Sequence, residues 1–455
     1  MNTANNFSAG VGKTNITPPL GSGINGDFVL HYATTIHDDL YAKSLFLKND
    51  ETSILMIVVD ICSMDIEFVD QVKSIITEKI DIDGQNILIS STHTHAAGSI
   101  AEVHLSPMDV GYRKSLAPKI AESAVIAFSN LQPAVLASGR IDVPDHVLCR
   151  RYKMKDEYQP INPVSHTTDA IKTNPIGIEE YIIEPIAEPD PQLSYLAINN
   201  LEGKCISIYA NYSLHYVGDW ENGTISADYY GYFAQYLENH LNTADQFVAM
   251  MSNGTSGDIN IWDFQGLKNH PSGLFEKSIL IGEDLAAKLI QSMDSLEWES
   301  SPRLRSQTVE ASFALRKPSK EELTEAEKII AVSDYETYNY DDANLRKLYA
   351  REQSMLYQFP DSRTSIFQLH QIGKTLVGGL PGEYFAETGL WLKKQSSEMN
   401  YFTVGLANDN IGYVPPKHEI EKGGYETWRC RYSCMEANAE EESRQIMASL
   451  IKKFS

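Results

Sequence analysis

The chain has 455 residues, 42% of them hydrophobic and 22% charged, the composition of an ordinary globular protein that is too long for one small core. Lys and Arg number 38 against 61 Asp and Glu, a formal net charge of −23 that repels phosphate backbones and anionic lipid surfaces and argues against a nucleic-acid partner. The N-terminus has no basic region followed by an apolar one, and no later segment reaches the roughly 18 apolar residues of a membrane span, so a cytoplasmic protein without a transmembrane segment is expected.

In chain order, Gly12-Lys13-Thr14 imitates the end of a phosphate-binding loop. Phe7 stands where that loop needs its first glycine, and Ile16-Thr17-Pro18-Pro19 follows where its helix should begin, so the motif fails. Tyr41 to Leu47 and Ser53 to Asp60 read as strands joined by an Asn49-Asp50-Glu51 turn. A helix is expected from Ile66 to about Ile80, with Asp65 as its N-cap. The stretch from Asn86 to Gly98 follows, an apolar strand that runs into Thr92-His93-Thr94-His95. Residues two apart on an extended backbone share a face, so His93 and His95 can address one point. Imidazole is the commonest zinc ligand, although two histidines in a Thr-rich stretch more often hydrogen-bond to neighbouring backbone.

Lys114 to Leu131 reads as a helix and Ala134 to Ile141 as a strand. Arg150-Arg151 reads as solvated surface charge, with Arg150 of interest only if it lies near a site. From Tyr152 to Pro191 the proline-punctuated sequence predicts a long irregular loop bordering a site. Strands at Leu193 to Ala197 and Cys205 to Ala210 lead to a second strand-end histidine, His215. Helix Tyr229 to Leu241 and strand Phe247 to Met251 precede the turn Ser252 to Asn260, whose N–H groups suit an anion or oxyanion if it is more than a plain connection. Helices are expected at Ile281 to Met293, Lys320 to Val332 and Tyr340 to Leu356, the last two polar enough to lie outside the core. Strands Gln307 to Leu315 and Ser365 to Ile372 flank them. The apolar run Thr375 to Leu380 ends in Pro381-Gly382-Glu383, where the glutamate can be a ligand, a base or a partner of the following helix dipole. Strand Phe402 to Leu406 and a helix from Ala439 to Lys452 complete the chain.

The five cysteines are odd in number and scattered, which predicts reduced thiols. Cys430 and Cys434 have a loosely zinc-like spacing but no second pair. With no repeat and no linker, the expected fold is one large α/β domain over residues 1–455. Its mixed β-sheets are flanked by helices, with the 152–191 loop and a 318–357 helical insert near the site.

The segments GVGKTNITPPLG, IHDDLYAKSLFL, SSTHTHAAG, ANYSLHYVGD, SNGTSGDIN, LPGEYFAETG and NIGYVPP occur in this order. Over about Phe7 to Tyr425, the chain resembles the neutral/alkaline (non-lysosomal) ceramidases. The resemblance implies the fold of that family's N-terminal domain and a zinc-dependent amidase. By motif, zinc would be held by His93, His215, Glu383 and Tyr413, the last suggested by the resemblance alone. It further implies that His95 and Tyr425 stand near the reaction centre and that Arg150 faces substrate. A serine of the family's corresponding segment is replaced by Asn260, which cannot be acylated and could at most orient water or substrate. The family's following β-sandwich and secretion signal have no counterpart here.

The expected function is therefore zinc-dependent hydrolysis of a C–N amide bond in a small-molecule or lipid-amide substrate, using water. The alternatives are another linkage (ester, lactone or glycosidic derivative) or a non-catalytic metal- or ligand-binding protein. No sequence feature specifies the oligomeric state.

Overall fold

A computed structural model describes residues 6–336, 338–396 and 399–454. Its largest sheet has eight strands in the order Thr243–Asn253, Cys205–Tyr212, Gln192–Asn200, Gln132–Asp142, Ser8–Asn15, Tyr41–Lys48, Ser53–Val59, Ile87–Ser91. Neighbours are antiparallel except at the two ends, where Ser53–Val59 runs parallel to Ile87–Ser91 and Cys205–Tyr212 parallel to Thr243–Asn253. The sheet curls enough to bring its Thr243–Asn253 edge close to Ser53–Val59 and Ile87–Ser91. A second sheet has the order Leu304–Ala314, Ser362–Ile372, Thr375–Gly379, Asn400–Val404, and its last two strands are parallel.

Each parallel pair requires a crossover that leaves the sheet and returns, and each crossover is helical. Ile66–Lys79, Asp228–His240 and Ala386–Gln395 supply the three. The continuous apolar runs at the parallel end reflect burial on both faces. In Ser53–Val59, residues Leu55, Ile57 and Val59 enter the core under Ile66–Lys79 and Val110–Ser129, while Ile54, Met56 and Val58 enter the core between the sheets. That inter-sheet core also takes Val377, Phe402 and Val404 from the second sheet. The second sheet's other face packs on Ala386–Gln395 and Ala439–Phe454 through Leu369, Leu376, Leu392 and Met447. The order of layers is thus helices, sheet, sheet, helices, the expected α/β class with mixed sheets.

Three regions differ from the expectation. Val110–Ser129 begins earlier because Asp109 caps it, its side chain accepting from the Tyr112 N–H. The 152–191 segment is not wholly irregular, since Arg151–Met154, Ile171–Thr173 and Ile182–Pro185 pair into a three-stranded sheet. Asp342–Tyr357 is not an exterior helix: Leu348, Tyr349, Glu352 and Gln353 are buried. Its polarity is absorbed by pairing, with Glu352 accepting from Arg431 Nε and Nη2 at 2.9 Å and lying 3.3 Å from His104 Nδ1.

The GKT segment is explained by packing. A Cβ at Gly12 would lie 2.3 Å from the Ser123 carbonyl oxygen, and one at Gly10 would lie 2.2 Å from that of Ala127, so both glycines let strand Ser8–Asn15 approach the helix backbone. Gly12→Val should therefore lower stability by about 3 kcal/mol, read as a fall in the urea midpoint at unchanged m-value.

Candidate metal centre

The three parallel pairs point their carboxyl ends toward one place, and a polar residue follows one strand of each. His93 comes just beyond Ile87–Ser91, His215 beyond Cys205–Tyr212 and Glu383 beyond Thr375–Gly379. Their ligand atoms lie within 4.8 Å of one another. Glu383 Oε2 is 3.3 Å from His93 Nε2 and 3.9 Å from His215 Nε2. The two imidazoles meet at 88° with centroids 4.7 Å apart. His93 Nδ1–H donates to the Cys62 carbonyl at 2.7 Å and His215 Nδ1–H to the Ser256 carbonyl at 3.0 Å, which fixes both tautomers with Nε2 lone pairs facing inward. His93 has a φ of 71°, a left-handed conformation rare outside glycine that turns its ring back toward the cluster. Glu383 Oε2 is buried and accepts no hydrogen bond among the described residues.

Two imidazole lone pairs and an unsatisfied buried carboxylate oxygen form a donor set that fits a divalent cation. Burial, with Arg150 and His93 nearby, holds the His215 pKa well below its ordinary value, and burial, His93 and Arg150 do the same for His95, so both rings are neutral. At His93 burial acts in the same direction, but Cys62 and Glu383 outweigh it and the pKa lies well above the usual one, so a cation gains this lone pair only by displacing the Nε2 proton.

Tyr413 reaches the cluster through a short parallel pairing in which Glu383 and Tyr413 are register partners. Its hydroxyl accepts from Arg150 Nη2 at 3.1 Å, and the guanidinium sits over its ring, 5.5 Å from the centroid. Burial and Glu383 push the Tyr413 pKa well above 10 against the pull of Arg150, so it is a neutral phenol. Arg150 and Arg151 are both buried rather than solvated, a correction to the reading of the pair as surface charge. One carboxylate compensates both: Glu426 accepts from Arg150 Nε and from Arg151 Nη1, each at 2.7 Å. Arg151 also pairs with Glu419 at 2.8 Å, and Thr173 Oγ1 donates to Glu426 at 2.8 Å.

His95 Nε2 is 3.2 Å from His93 Nε2, and its ring stacks on Tyr216 at 3.7 Å. Gly26, with φ at 123°, lies so close to this ring that a Cβ would be 2.4 Å from His95 Cγ. The Tyr425 ring is 5.6 Å from that of Tyr413 and 5.7 Å from that of Phe28. Asn260 is not brought into hydrogen-bonding contact with His93, His215 or Glu383 among the described residues. Its Nδ2 donates to Asn174 at 2.6 Å and its Oδ1 accepts from the Trp262 N–H at 3.1 Å, while its backbone pairs with Leu148 beside Arg150. In the Ser252 to Asn260 turn, two of the N–H groups expected to suit an anion are already taken. Gly254 and Gly257 spend their N–H groups on the Tyr212 and Tyr384 carbonyls, and the turn instead offers carbonyls to His215 and Arg150.

Cys62, Glu426 and Asp228 are site-supporting residues that the sequence reading missed. Cys62 had a signal, since it leaves the strand that is the parallel partner of Ile87–Ser91. Glu426, beside Tyr425, had none beyond its charge. Asp228 accepts from the Val217 N–H at 2.8 Å and so holds the turn after His215.

Glu426→Gln leaves two buried guanidiniums short of a carboxylate and should cost about 3–5 kcal/mol in denaturant unfolding. Burial raises the Asp228 pKa from 3.8 to about 7, so the folded state binds its proton more tightly than the unfolded chain. The stability this contributes is complete below about pH 4 and is lost as pH rises through about 7. Asp228→Asn should flatten the pH dependence of the melting temperature across that window.

The sequence model described as neutral/alkaline non-lysosomal ceramidase, N-terminal, matches residues 7–263. No curated protein sequence gives a significant match. Solved ceramidase structures share this fold. The neutral ceramidase from Pseudomonas aeruginosa superposes with a TM-score of 0.72 at 15% identity, covering 98% of this chain and 75% of that one. A ceramidase complexed with C2 gives 0.72 at 16% identity, covering 98% and 74%. With more than half of its length matched by the family model, the chain belongs to the neutral/alkaline non-lysosomal ceramidase family.

Proposed function

We propose that the chain is a metal-dependent amidase that hydrolyses a C–N bond with water, with zinc as its metal and a lipid amide as its substrate class. The observation that carries this reading is the convergence of His93 and His215 Nε2 on a Glu383 oxygen that has no other partner. These three residues would hold the ion, with Tyr413 at its edge. Bound there, a divalent cation supplies Lewis acidity toward a carbonyl and toward water.

The remaining work falls to the chain's own groups. Hydrolysis puts the water oxygen on the acyl carbon and a proton on the leaving nitrogen. Neutral His95 stands beside the cluster, fixed by its stack on Tyr216 and by a hydrogen bond to the Gly26 backbone, where its ring can contact the reacting groups. Tyr425 stays a neutral donor, because burial and Tyr413 keep its pKa well above 10. Arg150, locked by Glu426, orients the Tyr413 phenol. Asn260, engaged with Asn174 and Trp262, supports a mechanism without a nucleophile from the chain.

Protein purified without added metal and dialysed against a weak chelator should carry about one zinc per chain by mass spectrometry, and His215→Ala little. His95→Gln should keep the zinc and lower kcat about 10²- to 10³-fold on an N-acyl amide panel. Asn260→Ala should also keep the metal, with weaker activity. Equal zinc in His215→Ala and wild type would refute the ligand set. Zinc without turnover of any amide or ester would refute the amidase.

A further inference from the structure

Beside the cluster just described lies a thiol that the hydrolytic arrangement leaves unused. Cys62 follows strand Ser53–Val59, is buried, and has its sulfur 3.7 Å from His93 Nδ1. Cys62, His93 and His95 each place a ligand atom within 4.8 Å of the other two, a second triad that shares only His93 with the first. A tetrahedral ion with sulfur at about 2.3 Å and nitrogen at about 2.0 Å needs its ligand atoms about 3.5 Å apart, within reach of small side-chain movements.

We propose that Cys62, His93 and His95 form an alternative seat for a soft divalent cation, in competition with the seat of His93, His215 and Glu383. The two donor sets differ in kind. One thiolate and two imidazoles favour softer ions, whereas replacing the sulfur by a carboxylate oxygen favours harder ones. Because His93 serves both, a soft ion held by Cys62 withdraws one ligand from the first seat and, with His95, a donor from the reaction centre. Ligation through Nδ1, the ring nitrogen nearest the sulfur, breaks its hydrogen bond to the Cys62 carbonyl and leaves the ring proton on Nε2, which takes that lone pair from the first seat, and the thiol proton is released to solvent. His95 is held in position for this role by its stack on Tyr216. The inference does not depend on whether the chain cleaves an amide.

The test is titration of the metal-stripped full chain with Cd²⁺, read by the sulfur-to-cadmium charge-transfer absorption that only a thiolate ligand gives. Wild type and His215→Ala should both develop the band, saturating at about one equivalent. Cys62→Ser should lack it while still binding Cd²⁺ in equilibrium dialysis, with Cys62→Ala as a second variant. Absence of the band in wild type, or a band of equal size in Cys62→Ser from one of the other four cysteines, would overturn the proposal. So would loss of the band in His215→Ala, which would put the sulfur in the first seat.

Discussion

Two parallel neighbouring strands cannot be joined by a tight turn, and the rest of this molecule follows from having three such pairs in its two large sheets. Each pair sends a helix over the outside and brings both carboxyl ends out on the same side. Curling of the large sheet brings two of those ends together, and the second sheet packed against it supplies the third. His93, His215 and Glu383 are far apart in sequence, yet each needs only to be among the first polar residues after its strand. The antiparallel centre of the large sheet contributes no residue to this triad; it sets the distance between the ends that do.

The charges around the centre are held by a separate principle. Burying two guanidiniums side by side would be prohibitive without a carboxylate in contact with both, and Glu426 meets that condition while Thr173 and Glu419 add further hydrogen bonds. One consequence is a rigid phenol: Tyr413 is fixed by pairing to Glu383 on one side and by Arg150 on the other. A similar economy appears at Glu352, where a helix with a polar sequence is buried because His104 and Arg431 meet its carboxylate.

What could be read in the sequence was whatever local periodicity and strand ends encode. The apolar runs before His93, His215 and Glu383 identified those residues as strand-end groups, and Asp65 was correctly read as the cap of Ile66–Lys79, its side chain accepting from Phe68. Tyr413 could not be found this way, because it reaches the cluster on a two-residue strand with no periodicity. Arg150 and Arg151 misled because burial of a charge depends on a partner more than two hundred residues away. The Ser252 to Asn260 turn could not be resolved this way, because glycines that free a backbone to bind an anion are indistinguishable, in sequence, from glycines that let it pack. Here Gly257 is needed since a Cβ would lie 2.7 Å from the Glu383 carbonyl oxygen.

The centre is also a joint between the two large sheets: both histidines follow strands of one, and Glu383 follows a strand of the other. At the site the two are tied by main-chain hydrogen bonds, Asn408 N–H to the Ile89 carbonyl at 2.7 Å and Gly405 N–H to the Asn253 carbonyl at 2.9 Å, and behind these ties the gap is filled by apolar side chains, among them Met56, Leu88, Met250, Val377 and Phe402. Those residues act as the spacer of a vice. A change of volume there, far from any polar group, would open or close the jaws and retune cation affinity and ionic-radius preference while every ligand stays in place.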